Sequence, residues 1–236
     1  GGEEGDPICV PTMSSPTRQR QHICLPELTK EEFEEVAAGR QVRKQERHGK
    51  QGWGFSVEDV DAPPSLVMDV LGNFGDYANV IPVVRQADVV SRRVSAEGVE
   101  QVRCNYRVSR FWLSVSVFQT ALPEDGLVHF ELDPSVAGCV LQEAAGFWHV
   151  APAPGGSGSR VWLCVGLRAH GWLPTQLVDY AAERALRRAT AWLKPQAEAA
   201  AEALHASAAG ELHAGGAGGR RPRLAVDEAA SPRAHC

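Results

Sequence analysis

The stretch Val57-Glu-Asp-Val-Asp-Ala-Pro-Pro-Ser-Leu-Val-Met-Asp-Val-Leu-Gly-Asn-Phe-Gly-Asp-Tyr-Ala-Asn-Val-Ile-Pro82 decides how the rest of the chain is read. Its first residues finish a strand. Trp53, Phe55 and Val57 alternate with small or polar residues, the period-two pattern of a half-buried strand, and the strand ends at Asp61. Pro63 and Pro64 then mark a helix start, where a missing N–H costs nothing because the first-turn donors are unpaired anyway. Leu66, Val67, Val70 and Leu71 form the apolar face of that helix, and Gly72 and Asn73 stop it. A second short helical turn near Phe74 to Tyr77 leads to Ile81-Pro82.

Towards the C-terminus the period changes to two, through Val83 to Arg92, Glu100 to Val108, Phe111 to Thr120, Leu127 to Leu132, Val140 to Val150 and Arg160 to Ala169. Glu97-Gly98, Pro123 to Gly126, Asp133 to Ser135 and Pro154 to Gly158 supply turn chemistry between them. Connections this short make consecutive strands antiparallel neighbours. Pro174 then opens the strongest helix pattern in the chain, with Leu177, Ala181, Ala185, Leu186, Ala189, Trp192 and Leu193 on one side and Asp179, Glu183, Arg187 and Arg188 on the other. Pro195 is expected to kink this helix or end its first segment, with Gln196 to His205 continuing it. The expectation is an α+β fold: a curved antiparallel sheet of about seven strands wrapped around a long C-terminal helix, with two short helices after strand one.

Towards the N-terminus, residues 1–25 are rich in Gly, Pro, Ser and charge and are expected to be disordered. Residues 26–52 read as a short helix and a basic linker: Thr29 and Glu32 form a capping box, Phe33 and Val36 a small apolar face, and Gly39 a C-terminal cap. The domain spans 53–205, and the Ala/Gly/Arg-rich stretch 206–236 reads as a disordered tail.

With 236 residues and 44% hydrophobic content the chain supports one sizeable core. A net charge of −5 argues against nucleic acid as a partner, because phosphate binding needs a concentrated positive surface. The basic cluster Arg40, Arg43, Lys44, Arg47 and Lys50 offers contact with an anionic lipid surface, but reads more simply as solvated linker. No apolar run reaches 18 residues, so no segment reads as a membrane span. Six cysteines at 9, 24, 104, 139, 164 and 236 show no CxxC pair or disulfide framework and read as free thiols of a soluble intracellular protein. The chain opens Gly1-Gly2-Glu3-Glu4 without an initiator Met, the pattern of a processed or truncated chain, and an address to a mitochondrion or plastid would lie outside it. Nothing in the sequence sets an oligomeric state.

The order strand, two short helices, six antiparallel strands, long helix resembles the helix-grip fold of the START-like (SRPBCC) superfamily of polyketide cyclases, aromatase/cyclases, lipid-transfer domains and coenzyme Q-binding proteins. Val57 to Pro82 is similar to that family's opening strand, helix pair and tyrosine-containing turn. Gly146-Phe-Trp-His-Val150, Ser159-Arg-Val-Trp-Leu163 and Leu173-Pro174 are similar to its last two strands and the start of its helix. Phe130-Glu-Leu-Asp-Pro134 and Ala185 to Lys194 resemble a coenzyme Q-binding-protein-like branch more than plant allergens or steroid-transfer domains. The resemblance implies a domain that binds a lipid, isoprenoid quinone or pigment and transports or chaperones it, without a cofactor; a polyketide cyclase/dehydratase-type enzyme is the alternative, and an interaction module with a self-filled cavity a third reading.

A sheet curled around one helix leaves a space whose inward side chains decide what enters. Alternation places Val102, Cys104, Tyr106 and Val108, then Val128, Phe130 and Leu132, then Trp148, Val150, Val161, Leu163 and Val165 on the inner face, with Leu177, Ala181 and Ala185 opposite on the helix. Each could equally be ordinary core. Trp172 and Leu173 are candidates for an exposed cavity mouth that touches a membrane, against a plain packing contact at the helix start. For an enzyme the polar candidates are Arg85, Arg103, Asn105, Tyr106, Glu143 and His149, with Tyr106 or Arg103 foremost, yet they form no catalytic spacing. Arg103, Asn105 and Arg107 fall opposite Tyr106, away from the cavity. His129 with Glu131 and His149 with His170 match no metal motif and read as surface histidines. Gly155 to Gly158 lacks the Lys-Ser/Thr of a phosphate loop and reads as a hairpin turn.

Overall fold

The computed structural model describes residues 23–96, 98–108, 113–136, 140–156, 158–174, 176 and 186–215. The chain divides into two units, residues 1–201 and 202–236. Helix α1 (Lys30–Ala37) carries the expected capping box, with Glu32 N–H donating to Thr29 Oγ1 at 3.2 Å and Thr29 N–H donating to Glu32 Oε2 at 2.9 Å. Strands β1 (Val42–His48) and β2 (Gln51–Val60) follow, then α2 (Pro64–Gly72), a 3₁₀ turn (Phe74–Asp76) and α3 (Tyr77–Val80). The strands β3 (Val84–Val94), β4 (Glu100–Val108), β5 (Leu113–Leu122), β6 (Leu127–Leu132), β7 (Leu141–Pro152) and β8 (Ser159–Ala169) complete one sheet. Its order is β1-β2-β8-β7-β6-β5-β4-β3, antiparallel throughout.

The sheet has eight strands because the basic segment is β1, paired in register with β2 from Val42 opposite Val57 to His48 opposite Gln51, and not a linker. Hydrophobic alternation could not signal it, since an edge strand buries little: after Val42 every residue of β1 is exposed. Its charges suit an edge, where they discourage pairing with another chain. Strand β2, expected to be half-buried, is covered on both faces. Phe55 and Val57 pack with Trp162, Val42 and Val36 of α1 on the convex side, joined by Leu25 and Leu28. Leu25, expected in a disordered segment, is thus packed: it lies against this cluster, partly buried. The concave side carries the main core, from Val60 through Val102, Tyr106, Trp148 and Leu163 to Trp192 and Leu193.

At the C-terminal end, helical turns at 186–190 give way to a turn at Ala191–Trp192, and helix α4 (Leu193–Gly215) restarts beyond it. Pro195 explains the break: its ring has no N–H to bond residue 191 and would clash with that carbonyl, whereas in the first turn of α4 it is tolerated. Residues 206–215, expected as tail, are helical, because alanine-rich sequence has high helix propensity that a reading by composition overlooks. Residues 1–22 and 216–236 lie outside the described residues, and with them most of the expected disorder. The β7–β8 hairpin turns at Gly155 and Gly156, whose φ of 121° and 97° only glycine adopts without strain.

Candidate functional site

The site is built on the concave face of β4, β5, β6, β7 and β8, under α2, α3 and the C-terminal helical segment. Val102, Cys104, Tyr106, Val128, Trp148, Val161 and Leu163 are all buried in one cluster there, with half-buried Phe130 packed against it. The close approach of Phe130 requires Gly146 opposite it: a Cβ at 146 would collide with the Phe130 ring and the Cys164 carbonyl. Leu177, Ala181 and Ala185 lie outside the described residues.

Four rings run across this space. Tyr106 stacks on Tyr77 of α3 at 5.7 Å, Tyr77 meets Trp192 at 5.4 Å, and Trp192 meets Trp148 edge-on at 6.4 Å. The chain of rings therefore ties sheet, α3 and the C-terminal helix together. Their polar atoms are engaged: the Tyr77 hydroxyl donates to Leu71 O at 2.6 Å, the Trp192 indole N–H to Ala189 O at 2.7 Å, and the Tyr106 hydroxyl to Phe74 O at 3.4 Å while accepting from Gln119 Nε2 at 2.5 Å. Burial pushes both phenols far above their ordinary range and raises the Cys104 thiol as well, so all three groups stay protonated at neutral pH.

The polar candidates other than Tyr106 stand elsewhere. Arg103 lies on the convex face, its guanidinium 2.6 Å from Asp133, bonded to Ser116 and over the Phe118 ring; its engagement there removes it from cavity chemistry. Asp133 is buried and also accepts from Ser135 N–H at 2.8 Å. Its desolvation opposes ionisation, yet the bonds from Ser135 and the charge of Arg103 outweigh that and hold the carboxyl below its usual range. Arg85 and Asn105 are exposed. Glu143 pairs with Arg168 beside a convex groove of about 380 Å³ flanked by Trp53 and Glu46, which includes none of the expected lining residues. His129 is not a surface histidine: it is buried beside Phe147, 6.0 Å between ring centres, and its pKa is lowered by burial, as is that of half-buried His149. Among the described residues no group of three His, Cys, Asp or Glu is placed to hold a metal. Cys24, Cys104 and Cys164 are free thiols. Trp172 is 67% exposed but Leu173 is buried, so only the first is available at a cavity mouth.

Sequence reasoning missed Tyr77, Gln119 and Glu58. In the sequence Tyr77 reads only as part of a turn, and Gln119 is a polar residue on a strand for which alternation marks no inward set. Glu58 faces inward beneath the C-terminal segment, where Gln41 Nε2 bridges its Oε1 and Thr190 Oγ1, both at 3.0 Å. Burial raises its pKa, against the lowering effects of the Gln41 hydrogen bond, Lys194 and Arg43. A carboxyl whose folded pKa is raised stabilises the fold fully below its unfolded value and loses that contribution as pH rises. Glu58→Gln is therefore expected to raise the Tm by a few degrees at pH 7 and to lose the advantage towards pH 4. Thermal melts across that range check it; a lower Tm at pH 7 would contradict the raised pKa of Glu58.

An antiparallel sheet gripping a C-terminal helix, with an aromatic and aliphatic inner wall, defines a helix-grip domain. The chain belongs to the polyketide cyclase / dehydrase and lipid transport family, which matches residues 54–198. Solved structures of the same fold include a STAR-related lipid transfer protein from Xanthomonas axonopodis (TM-score 0.52, 15% identity, covering 65% of this chain and 92% of that one). The Zhui aromatase/cyclase of a Streptomyces species is similar to the same degree (TM-score 0.51, 14% identity, 67% and 94%). At these identities the likeness is one of fold. No curated protein matches the sequence.

Proposed function

We propose that the domain binds a hydrophobic small molecule, a lipid, isoprenoid quinone or pigment, between its concave face and C-terminal helix, and transports or chaperones it. The observation that carries this reading is the inner wall itself: Val102, Val128, Phe130, Trp148, Val161 and Leu163 present carbon, and the phenols among them are neutral and hydrogen-bonded. A cyclase or dehydratase in the same space would need a group that exchanges protons near neutral pH; burial holds Tyr77, Tyr106 and Cys104 away from that role, and the inward Glu58 carboxyl, whose pKa burial raises, is bound to Gln41 beneath the C-terminal segment. Family membership fits carriage as well as chemistry, since the family includes both. The test is transfer of a quinone or phospholipid between donor and acceptor liposomes. A rate that scales with protein concentration supports carriage; turnover of a bound polyketide-like substrate without transfer would support the enzyme.

Exchange with a membrane has one exposed anchor in this reading. Trp172 projects from a loop whose Gly171 and Leu173 carbonyls accept from the Lys50 ammonium, so the ring is presented on a tethered turn. No described helix is long and apolar enough to cross a membrane. Trp172→Ala is expected to reduce liposome co-sedimentation severalfold with an unchanged Tm, since an interfacial Trp contributes through its ring alone. Equal co-sedimentation of variant and parent would remove the membrane role.

A further inference from the structure

We infer that the convex groove beside Trp53 is a second binding site, on the opposite face of the sheet from the cavity and independent of it, and that it takes an arginine side chain of a peptide partner. The groove, of about 380 Å³, is walled by two neighbouring rows of residues across β1, β2, β8 and β7. Glu46, Trp53, Gly166 and Ala145 stand side by side in the first row, and His48, Gln51, Arg168 and Glu143 in the second. Gly166 and Ala145 carry at most a methyl group, which leaves room beside the indole. The Glu143 and Arg168 side chains keep 59% and 41% of their exposure, so the groove is open enough to admit a side chain from outside.

The indole is fixed as one wall of this space. Phe55 stacks against one side of it, ring centres 6.3 Å apart and planes 19° from parallel, and its N–H donates to Glu46 Oε2 at 3.2 Å. Side chains two apart on a strand stand next to each other on one face, so the side of Trp53 away from Phe55 looks towards the second row. An aromatic face with a carboxylate at its edge attracts a cation, and a planar guanidinium both stacks on indole and forks onto a carboxylate. The charge of the wall agrees. Two carboxylates stand against one guanidinium, and since Arg168 pairs with Glu143, the charge of Glu46 is the one left for a visitor to meet. Arg168 adds a second requirement, because its Nε is enclosed and donates to no acceptor. A backbone carbonyl next to the bound arginine would accept from it and remove the cost of that unmet donor. A flat cation with a carbonyl close by is what an arginine within a peptide offers and what an inorganic cation does not.

The test follows the Trp53 indole N–H, assigned by its loss in Trp53→Phe, in nitrogen–proton correlation spectra of the full chain. Two tripeptides capped at both ends are titrated, glycyl-arginyl-glycine and glycyl-citrullyl-glycine; citrulline keeps the length and flatness of arginine without its charge. The arginine peptide is expected to shift that signal with a Kd about tenfold below that of the citrulline peptide, the combined value of a cation–π contact and a charge-assisted hydrogen bond. Glu46→Gln is an exposed change that keeps an oxygen for the indole N–H, and it should remove most of the difference. Equal binding of the two peptides, or binding of neither, overturns the inference, as does a preference for arginine that Glu46→Gln leaves unchanged. A Trp53 signal that moves with protein concentration alone would also overturn it, by assigning the groove to a second copy of the chain.

Discussion

Replacing Trp192 by alanine is expected to lower the unfolding free energy by about 3–5 kcal/mol, the range for deleting a large aromatic from a core. Trp192 is 4% exposed and joins three elements at once: its ring meets Tyr77 of α3 and Trp148 of β7, and its N–H closes onto Ala189 at the end of the helical turns. It also sits at the break that Pro195 forces, so few backbone bonds hold the C-terminal segment there in its place. Trp192→Phe keeps a ring between Tyr77 and Trp148 and should recover more than half of the loss. Denaturant unfolding of both variants measures it. A loss below about 1 kcal/mol for the alanine variant would mean that the ring chain does not hold the C-terminal segment on the sheet.

Arg160→Met should cost about 3 kcal/mol, the lower end for breaking a buried ion pair, because Asp59 keeps 21% of its side-chain exposure. Arg160 grips Asp59 with two hydrogen bonds, Nε to Oδ1 at 2.7 Å and Nη2 to Oδ2 at 2.9 Å, and its guanidinium lies 4.5 Å from the ring of Phe33. The pair therefore joins β2 and β8 and docks α1 on their convex side. Removing only the cation leaves Asp59 with an unmatched charge, whereas Arg160→Met combined with Asp59→Leu removes both. The double variant should regain most of the stability, since an apolar pair can replace a buried ion pair with little loss. Equal losses in single and double variants would show that the cost comes from packing on Phe33 and not from the stranded carboxylate.

The sequence carried the fold wherever burial had a period. Leu66, Val67, Val70 and Leu71 repeat at helical spacing and lie in α2, and Val102, Cys104 and Tyr106 repeat at strand spacing and lie together in the core. β1 carried no such period, because an edge strand with one buried residue looks like any charged segment. The same limit hid the second face of β2. Nothing in Trp53, Phe55 and Val57 says which layer covers them, and α1 covers them from the convex side while Ser56 and Glu58 face inward. Site contacts were least legible where they depend on register between distant strands. Arg103 could be placed opposite Tyr106 by counting, but its partner Asp133 is 30 residues away and meets it through the β4–β5 and β5–β6 pairings. Gln119 and Tyr77 reach the site the same way, one through the tilt of Tyr106 towards the neighbouring strand and the other through the packing of α3.

The most direct measurement of the central claim is native mass spectrometry, with lipid extraction, of the protein purified from its own cells. A hydrophobic small molecule, a lipid, quinone or pigment, bound in stoichiometric amount and released on unfolding is the predicted result. An empty protein that also refuses quinones, lipids and pigments added in excess would contradict it, and would turn the concave face into a core filled by its own rings.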